Sequence, residues 1–140
     1  MPVPVGAESV AVLDGNTRTN RSSGLKYAAL DLGTNNCRLL VAEPNHQGPG
    51  FQVTDAFSRI VRLGEGLEQS GMLSKAAVDR TLSALRVCAN KMRRAHVVRV
   101  RTVATEACRR ARNGEEFLNR VRNETGIDLE IINPGEEAAL

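Results

Sequence analysis

The chain has 140 residues, a length that suits one domain or part of a larger protein. With 41% hydrophobic and 25% charged residues it has enough apolar material for a core, which excludes wholesale disorder. One tyrosine, three phenylalanines and no tryptophan make a poor base-stacking platform, so nucleic acid is not an expected partner. No apolar run reaches the ~20 residues of a membrane span, and no signal sequence is visible. We therefore expect a cytoplasmic protein without a membrane partner.

Residues 1–24 show no sustained hydrophobic period and contain many turn formers, so we expect a flexible leader. The apolar, β-prone runs at 27–30 and 38–42 flank a tight turn, which predicts a hairpin. After a second turn, residues 51–63 predict a third strand that Gly64 and Gly66 terminate. The apolar residues expected to pack from this strand are Phe51, Val53, Phe57, Ile60 and Val61.

A helix is expected to start after Ser74, whose hydroxyl suits an N-cap, with Leu73 and Val78 forming a hydrophobic staple. Apolar residues then recur at helical spacing: Val78, Leu82, Leu85, Ala89 and Met92. The valines at 97–103 predict a fourth strand. Asn113, with Glu116 three residues later, predicts a capping box for a second helix that Gly126 ends, and residues 129–132 predict a fifth strand.

Hairpins join antiparallel strands, whereas strand–helix–strand passages join parallel ones. The sequence therefore predicts an α/β fold with a mixed five-stranded sheet and helices on its faces. The final Pro-Gly-Glu-Glu-Ala-Ala-Leu is typical of a helix start. We accordingly expect residues 25–140 to be a domain truncated within a longer protein.

The turn after the first strand offers the most chemistry. Asp31 stands at the end of a buried strand, and Gly33 lets a ligand approach the backbone. Thr34, Asn35 and Asn36 supply hydroxyl, amide and main-chain donors, and successive N–H groups can form an anion nest. Asp31 could hold a hydrated metal ion. The same residues also suit an ordinary Asx-type turn, and local pattern leaves both interpretations open.

Two further segments are candidates. Glu136 and Glu137 could orient a water molecule or act as a general base, or they could simply stabilise a helix start. In residues 105–112 an arginine could clamp a phosphate, or could pair with a surface carboxylate. Between 86 and 112 basic residues greatly outnumber acidic ones, which could attract a polyanion, although solvated surface charge is the alternative.

Cys37, Cys88 and Cys108 are too widely spaced for a zinc set or a disulfide framework, so reduced thiols are expected. Cys88 lies beside the apolar face of the predicted helix and is expected to pack in the core. His46 and His96 have no metal-binding partner in the sequence pattern.

Together these segments resemble a known family. YAALDLGTNNCRLLVAE resembles the first phosphate motif of the actin-like ATPase superfamily. IVRLGEGLEQSGMLSKAAVDRTLSAL, VRTVATEACRRARNGEEFLNRV and GIDLEIINPGEEAAL are similar, in order and spacing, to the exopolyphosphatase/guanosine pentaphosphate phosphohydrolase family. The resemblance covers residues 26–140 and implies one actin-like (ribonuclease H-like) half of a two-domain protein.

The resemblance also implies a reaction. Family members use Mg²⁺ to hydrolyse the terminal phosphate of inorganic polyphosphate or the 5′-γ-phosphate of pppGpp. The resemblance assigns phosphate binding to the turn and to two arginines. It assigns metal binding, through water, to one carboxylate, and catalysis to the second glutamate of the Glu-Glu-Ala motif. In this sequence those residues are Gly33, Thr34, Asn35, Asn36, Arg38, Arg109, Asp31 and Glu137.

The first motif departs from the family's usual Asp-Leu-Gly-Ser-Asn-Ser-Phe-Arg at three positions. Thr34 keeps the hydroxyl of the usual serine, whereas Asn36 and Cys37 replace serine and phenylalanine. The family's second, glycine-rich phosphate motif is expected downstream of Leu140. The remaining domains and a second copy in a homodimer are the expected protein partners.

Two other functions remain open from the sequence. One is a nucleotide kinase or ATPase of the same superfamily, which the Asp-Leu-Gly-Thr-Asn turn would also suit. The other is a non-catalytic domain that binds polyphosphate or nucleotide. The sequence does not choose between polyphosphate and pppGpp.

Overall fold

A computed structural model of the protein describes residues 24–104 and 106–131. Thr105, Glu136, Glu137 and all of the predicted leader except Gly24 lie outside the described residues. The elements, in chain order, are β1 (Tyr27–Leu32), β2 (Asn36–Pro44), β3 (Phe51–Ile60), α1 (Leu67–Ser70), α2 (Lys75–Arg94), β4 (Arg99–Ala104), α3 (Glu106–Arg110) and α4 (Gly114–Thr125).

The strands form one mixed sheet in the order β3-β2-β1-β4. β2 runs antiparallel to both β1 and β3, which confirms the hairpins, and β4 runs parallel to β1 through the α2 crossover. Leu32 lies opposite both Cys37 and Ala104 in the register. The ends of β1 and β4 and the start of β2 therefore meet at one edge of the sheet.

The described sheet has four strands, whereas five were predicted. The segment expected to be the fifth strand runs beside β4 and makes a single parallel bridge, Ile131 to Ala104. The N–H of Ala104 donates to the carbonyl of Glu130 at 2.8 Å, and the Thr102 hydroxyl donates to the carbonyl of Asp128 at 2.7 Å. One of these two bonds uses a side chain, so the segment follows β4 without a regular strand ladder.

The core lies between the sheet and α2. Alternate residues of β1 and β2 point into it, because side chains alternate across a strand: Ala28, Leu30, Leu32, Cys37, Leu39 and Val41. The predicted apolar face of α2 is buried in full. The Ser74 hydroxyl caps the helix by accepting from the N–H of Ala77 at 3.1 Å. Within the part of the chain that the structure describes, none of the helices has the length and hydrophobicity to cross a bilayer.

The opposite face of the sheet is open over the described residues, where Ala29, Asp31, Arg38 and Leu40 are exposed. The helices that the structure describes thus pack on one of the two faces. Side chains on the open face are available to solvent, and Asp31 and Arg38 lie there at neighbouring positions of β1 and β2.

The third strand differs from its prediction. It ends at Ile60 instead of reaching residue 63, and Phe51, Val53 and Ile60 are exposed, so their predicted packing was wrong. The reason is position: β3 is an edge strand of the described sheet, and every one of its residues except Phe57 is exposed. Phe57 is partly buried against the core, and Val61 is fully buried beyond the strand's end.

The predicted capping box at α4 is also wrong. The Asn113 side chain makes no cap hydrogen bond to the helix and turns instead to Leu73, forty positions away in the chain. Its Oδ1 accepts from the N–H of Leu73 at 2.8 Å, and its Nδ2 donates to the carbonyl of the same residue at 3.1 Å. This pair of bonds fastens the start of α4 to the chain segment that leads into α2. Gly126 ends α4 in the left-handed conformation, as predicted.

The cysteines are free and buried, which confirms the expected packing of Cys88. The sulfur atoms of Cys37 and Cys88 lie 3.9 Å apart between β2 and α2. The hydrogen bond between the two thiols lowers the pKa of Cys37 and raises that of Cys88. Burial raises the pKa of Cys108 to about 12. The thiol of Cys108 is therefore protonated at neutral pH.

Replacing Asn113 with alanine is expected to lower the free energy of unfolding by about 1–3 kcal/mol, because it leaves the N–H and carbonyl of Leu73 without their partners. Asn123→Ala, at an exposed position of α4, is the control and should change stability by only a few tenths of a kcal/mol, ~0.5 at most. Urea unfolding followed by circular dichroism measures both. Equal midpoints for the two variants would contradict the assigned role of Asn113.

Burial of the cysteines predicts slow reaction with a disulfide reagent. At pH 8 the native chain should react with Ellman's reagent far more slowly than the chain in guanidinium chloride, where all three thiols titrate. Burial excludes the reagent from all three thiols, and the raised pKa values of Cys88 and Cys108 add to the protection of those two. Rapid reaction of three thiols under native conditions would show that the packing around them is wrong.

Candidate functional site

Four chain segments meet at the edge of the sheet where β1 and β4 end. They are the turn at residues 33–36 (the 33–36 turn), the start of β2, the loop at residues 61–66 that leaves β3 (the 61–66 loop), and the start of α3. Pairing of Asn36 with Ile60 brings the end of β3 to the same edge. In open α/β sheets, ligands bind outside the carboxyl ends of the parallel strands. This edge is therefore the candidate site.

The 33–36 turn is closed by its own backbone and held by the 61–66 loop. The N–H of Gly33 donates to the carbonyl of Asn36 at 2.9 Å. The Asn35 carbonyl accepts from the N–H groups of Val61 at 2.8 Å and Arg62 at 3.0 Å. The Thr34 carbonyl accepts from the N–H of Gly64 at 3.1 Å. Two carbonyls of the turn, which would repel an anion, are thus occupied by the loop.

The N–H groups of the turn differ from its carbonyls in their hydrogen bonding. Among the described residues, the N–H groups of Thr34 and Asn35 have no hydrogen-bond acceptor. Thr34 is partly buried and Asn35 is exposed. Consecutive N–H groups in a turn can bind an anion, and a backbone donor that is already ordered costs little to use. The 33–36 turn therefore offers two main-chain donors to a ligand.

Gly64 explains how closely the loop approaches the turn. A Cβ atom at this position would lie 2.5 Å from Cγ2 of Thr34 and 3.9 Å from Cβ of Ala107. Real Cβ contacts are not that short, so glycine is required for the observed packing. Because Gly64 lies close to both Thr34 and Ala107, the turn, the loop and α3 pack together as one cluster.

Charged groups of both signs flank the turn. Asp31 and Arg38 lie directly opposite each other in the β1–β2 pairing, and both are exposed on the open face of the sheet. Arg109 lies on α3, two residues beyond Ala107, and is exposed. An arginine can bind two phosphate oxygens at once. The edge thus presents guanidinium groups beside main-chain donors.

A metal ion here would depend on few protein ligands. Residues 24–104 and 106–131 contain no cluster of three or more His, Cys, Asp or Glu side chains that could hold one. Mg²⁺ usually keeps several waters and binds through one or two carboxylates together with substrate phosphates. A single exposed carboxylate, Asp31, fits that mode of binding.

The structure brings most of the predicted site residues to one edge: Asp31, Gly33, Thr34, Asn35, Asn36 and Arg38, with Arg109 on the adjoining α3. Glu137 lies outside the described residues. Sequence reasoning missed the 61–66 loop, because Gly64 and Gly66 were interpreted only as the end of a strand. The run Arg-Leu-Gly-Glu-Gly at 62–66, polar and rich in glycine, was the available signal.

Comparison with solved structures gives strong matches. A Ppx/GppA family member from Aquifex aeolicus is 34% identical, with a TM-score of 0.76 over 81% of this chain and 36% of that one. A second Aquifex aeolicus structure, the type II variant of the Ppx/GppA phosphatase, is 33% identical, with a TM-score of 0.74 over 79% of this chain and 36% of that one. An exopolyphosphatase from Cytophaga hutchinsonii is 28% identical, with a TM-score of 0.74 and coverages of 81% and 36%.

These matches confirm the predicted actin-like, ribonuclease H-like fold class. The chain spans about a third of the length of these structures, 36% in each case. The family model for the Ppx/GppA phosphatase family matches residues 40–140, which is most of the chain. On sequence and fold together, this chain belongs to the Ppx/GppA phosphatase family.

Proposed function

We propose that this chain provides the phosphate-binding part of a phosphohydrolase that releases the terminal phosphate of inorganic polyphosphate or the 5′-γ-phosphate of pppGpp. Membership of a phosphatase family supports the reaction class. The observation that carries the proposal is the pair of N–H groups at Thr34 and Asn35, which have no acceptor among the described residues, while the carbonyls of the same two residues accept from the 61–66 loop.

In this proposal the 33–36 turn holds the terminal phosphoryl group through main-chain donors and the Thr34 hydroxyl. Arg38, beside the turn, neutralises charge on the phosphoryl oxygens, and Arg109 contributes from α3. Phosphoryl transfer is catalysed mainly by such positioning and electrostatic stabilisation. The exposed positions of both arginines support this assignment.

Asp31 is the proposed holder of a hydrated Mg²⁺. Its carboxylate is exposed one residue before the strand's end and lies opposite Arg38, at the edge where the phosphate would bind. When bound, Mg²⁺ would neutralise charge on the substrate's phosphoryl oxygens. Asp31 would then accept hydrogen bonds from water molecules at the site.

Glu137 is the proposed base that orients the attacking water. The water oxygen forms a bond to the terminal phosphorus, the bond to the leaving phosphate oxygen breaks, and the carboxylate takes the proton. Ile131 is the last described residue, and its parallel bridge to Ala104 brings the chain to the site's edge six residues before Glu137. That approach supports the assignment.

Phosphate release by the whole gene product with Mg²⁺ tests the proposal against the ATPase alternative. Polyphosphate or pppGpp should be hydrolysed much faster than ATP. Glu137→Gln should lower turnover by ~10²–10⁴-fold, because a positioned general base contributes about that factor. Glu136→Gln is the matched control and should stay within a few fold, ~3, of the unmodified protein.

Preferential hydrolysis of ATP would favour the kinase or ATPase alternative. Unchanged turnover in Glu137→Gln would show that another group activates the water. Binding of polyphosphate without turnover by the whole gene product would favour the non-catalytic function.

Packing at Gly64 generates a separate prediction about binding. Gly64→Ala should weaken tripolyphosphate binding by about tenfold, ~1.4 kcal/mol, because the new methyl group must displace the stiff Thr34 side chain. Gly48→Ala is the control, since its Cβ would meet nothing within 4 Å. Isothermal titration calorimetry measures both variants. Equal affinities would mean that the loop does not set the geometry of the turn.

A further inference from the structure

The side chain of Arg80, on α2, reaches back to the 61–66 loop. Its Nε donates to the carbonyl of Val61 at 2.9 Å, and its Nη2 donates to the carbonyl of Arg62 at 3.2 Å. The same Nη2 lies 2.6 Å from Oε1 of Glu65. The planar guanidinium group therefore binds two consecutive carbonyls and a carboxylate of one loop, a pattern that its fixed fork of donors permits.

The residues that Arg80 binds are the ones that bind the 33–36 turn. Val61 and Arg62 accept from Arg80 through their carbonyls and donate to the Asn35 carbonyl through their N–H groups. The contact chain thus runs from α2, through one loop, to the turn proposed to hold phosphate. Each step is a hydrogen bond of 3.2 Å or less.

The backbone of Arg62 shows that the loop is held in an uncommon conformation. Its φ of 48° lies in the left-handed region, where residues other than glycine are infrequent. Its carbonyl accepts from Arg80 and also from the N–H of Glu65 at 3.1 Å. Such conformations persist where the surroundings over-determine them, and they occur often at functional sites.

We propose that Arg80 is a positioning residue for the 33–36 turn. By fixing the 61–66 loop, it keeps the Thr34 and Asn35 carbonyls engaged and leaves the adjacent N–H groups for a phosphoryl ligand. Arg80 itself does not touch the ligand. The inference rests on the proposed phosphate site. The bonds from Arg80 to the backbone carbonyls, not its ion pair with Glu65, fix the position of the loop.

The test uses four variants of the whole gene product. Arg80→Met keeps the apolar stem and removes the donors, while Arg80→Lys restores one charged donor group without the fork. Glu65→Gln removes only the ion pair. Arg86→Met is the matched control, since Arg86 lies on the same helix and bonds to Glu124 on α4, away from the loop. Deuterium uptake of peptides covering residues 61–66 and affinity for inorganic tripolyphosphate are measured for each.

Arg80→Met should speed deuterium uptake in the loop by about tenfold or more and weaken tripolyphosphate binding by about tenfold. Arg80→Lys should recover part of both, and Glu65→Gln should change affinity by less than about threefold, because exposed ion pairs contribute little. Arg86→Met should match the unmodified protein in both measurements.

Three results would overturn the inference. The first is uptake in Arg80→Met equal to that in Arg86→Met. The second is faster uptake with unchanged tripolyphosphate affinity. The third is a loss in Glu65→Gln as large as that in Arg80→Met. If the unmodified protein binds no tripolyphosphate, the proposed function fails, and loop uptake alone then decides whether Arg80 holds the turn.

Discussion

The site depends on the hydrogen bonds that the 61–66 loop donates to the carbonyls of the 33–36 turn. Each peptide unit presents its N–H and its carbonyl in opposite directions, so satisfying the carbonyls on one side leaves amides on the other. The Asn35 N–H shares a peptide unit with the Thr34 carbonyl, which bonds to the loop, and this N–H has no acceptor among the described residues. The arrangement suits an anion because the protein has already oriented the donors, and binding then costs little reorganisation.

The loop can hold the turn because it is itself anchored at both ends. Arg80 binds its first residues, and the segment that follows is joined to the start of α4 through Leu73 and Asn113. An ion pair between Arg110 and Glu68, at 2.7 Å, ties α1 to α3. The apolar core beneath supports these polar contacts, since α2 buries its whole apolar face against the sheet. Core packing and site geometry are therefore coupled through a few polar side chains.

Charge at this edge follows from strand pairing. Asp31 and Arg38 are seven residues apart in the chain, and the hairpin places them side by side on the open face. Parallel pairing of β1 with β4 then brings α3, and Arg109 with it, to the same edge. These charged groups come from separate segments of sequence and are brought to one edge by strand pairing. The chain returns to the same edge at Ile131, which forms a parallel bridge with Ala104.

The sequence by itself determined the elements whose signals are local. The hairpin, the capped helix α2 with its buried face, the left-handed end of α4 at Gly126, and the candidate turn all depend on short-range pattern or resemblance. Tertiary structure decided the rest. Asn113 bonds to Leu73 instead of capping its helix. β3 is exposed because it is an outermost strand of the described sheet, and the 61–66 loop bonds to the 33–36 turn. These features depend on groups that are distant in the chain, and hydrophobic periodicity carries no information about which distant backbone groups will meet.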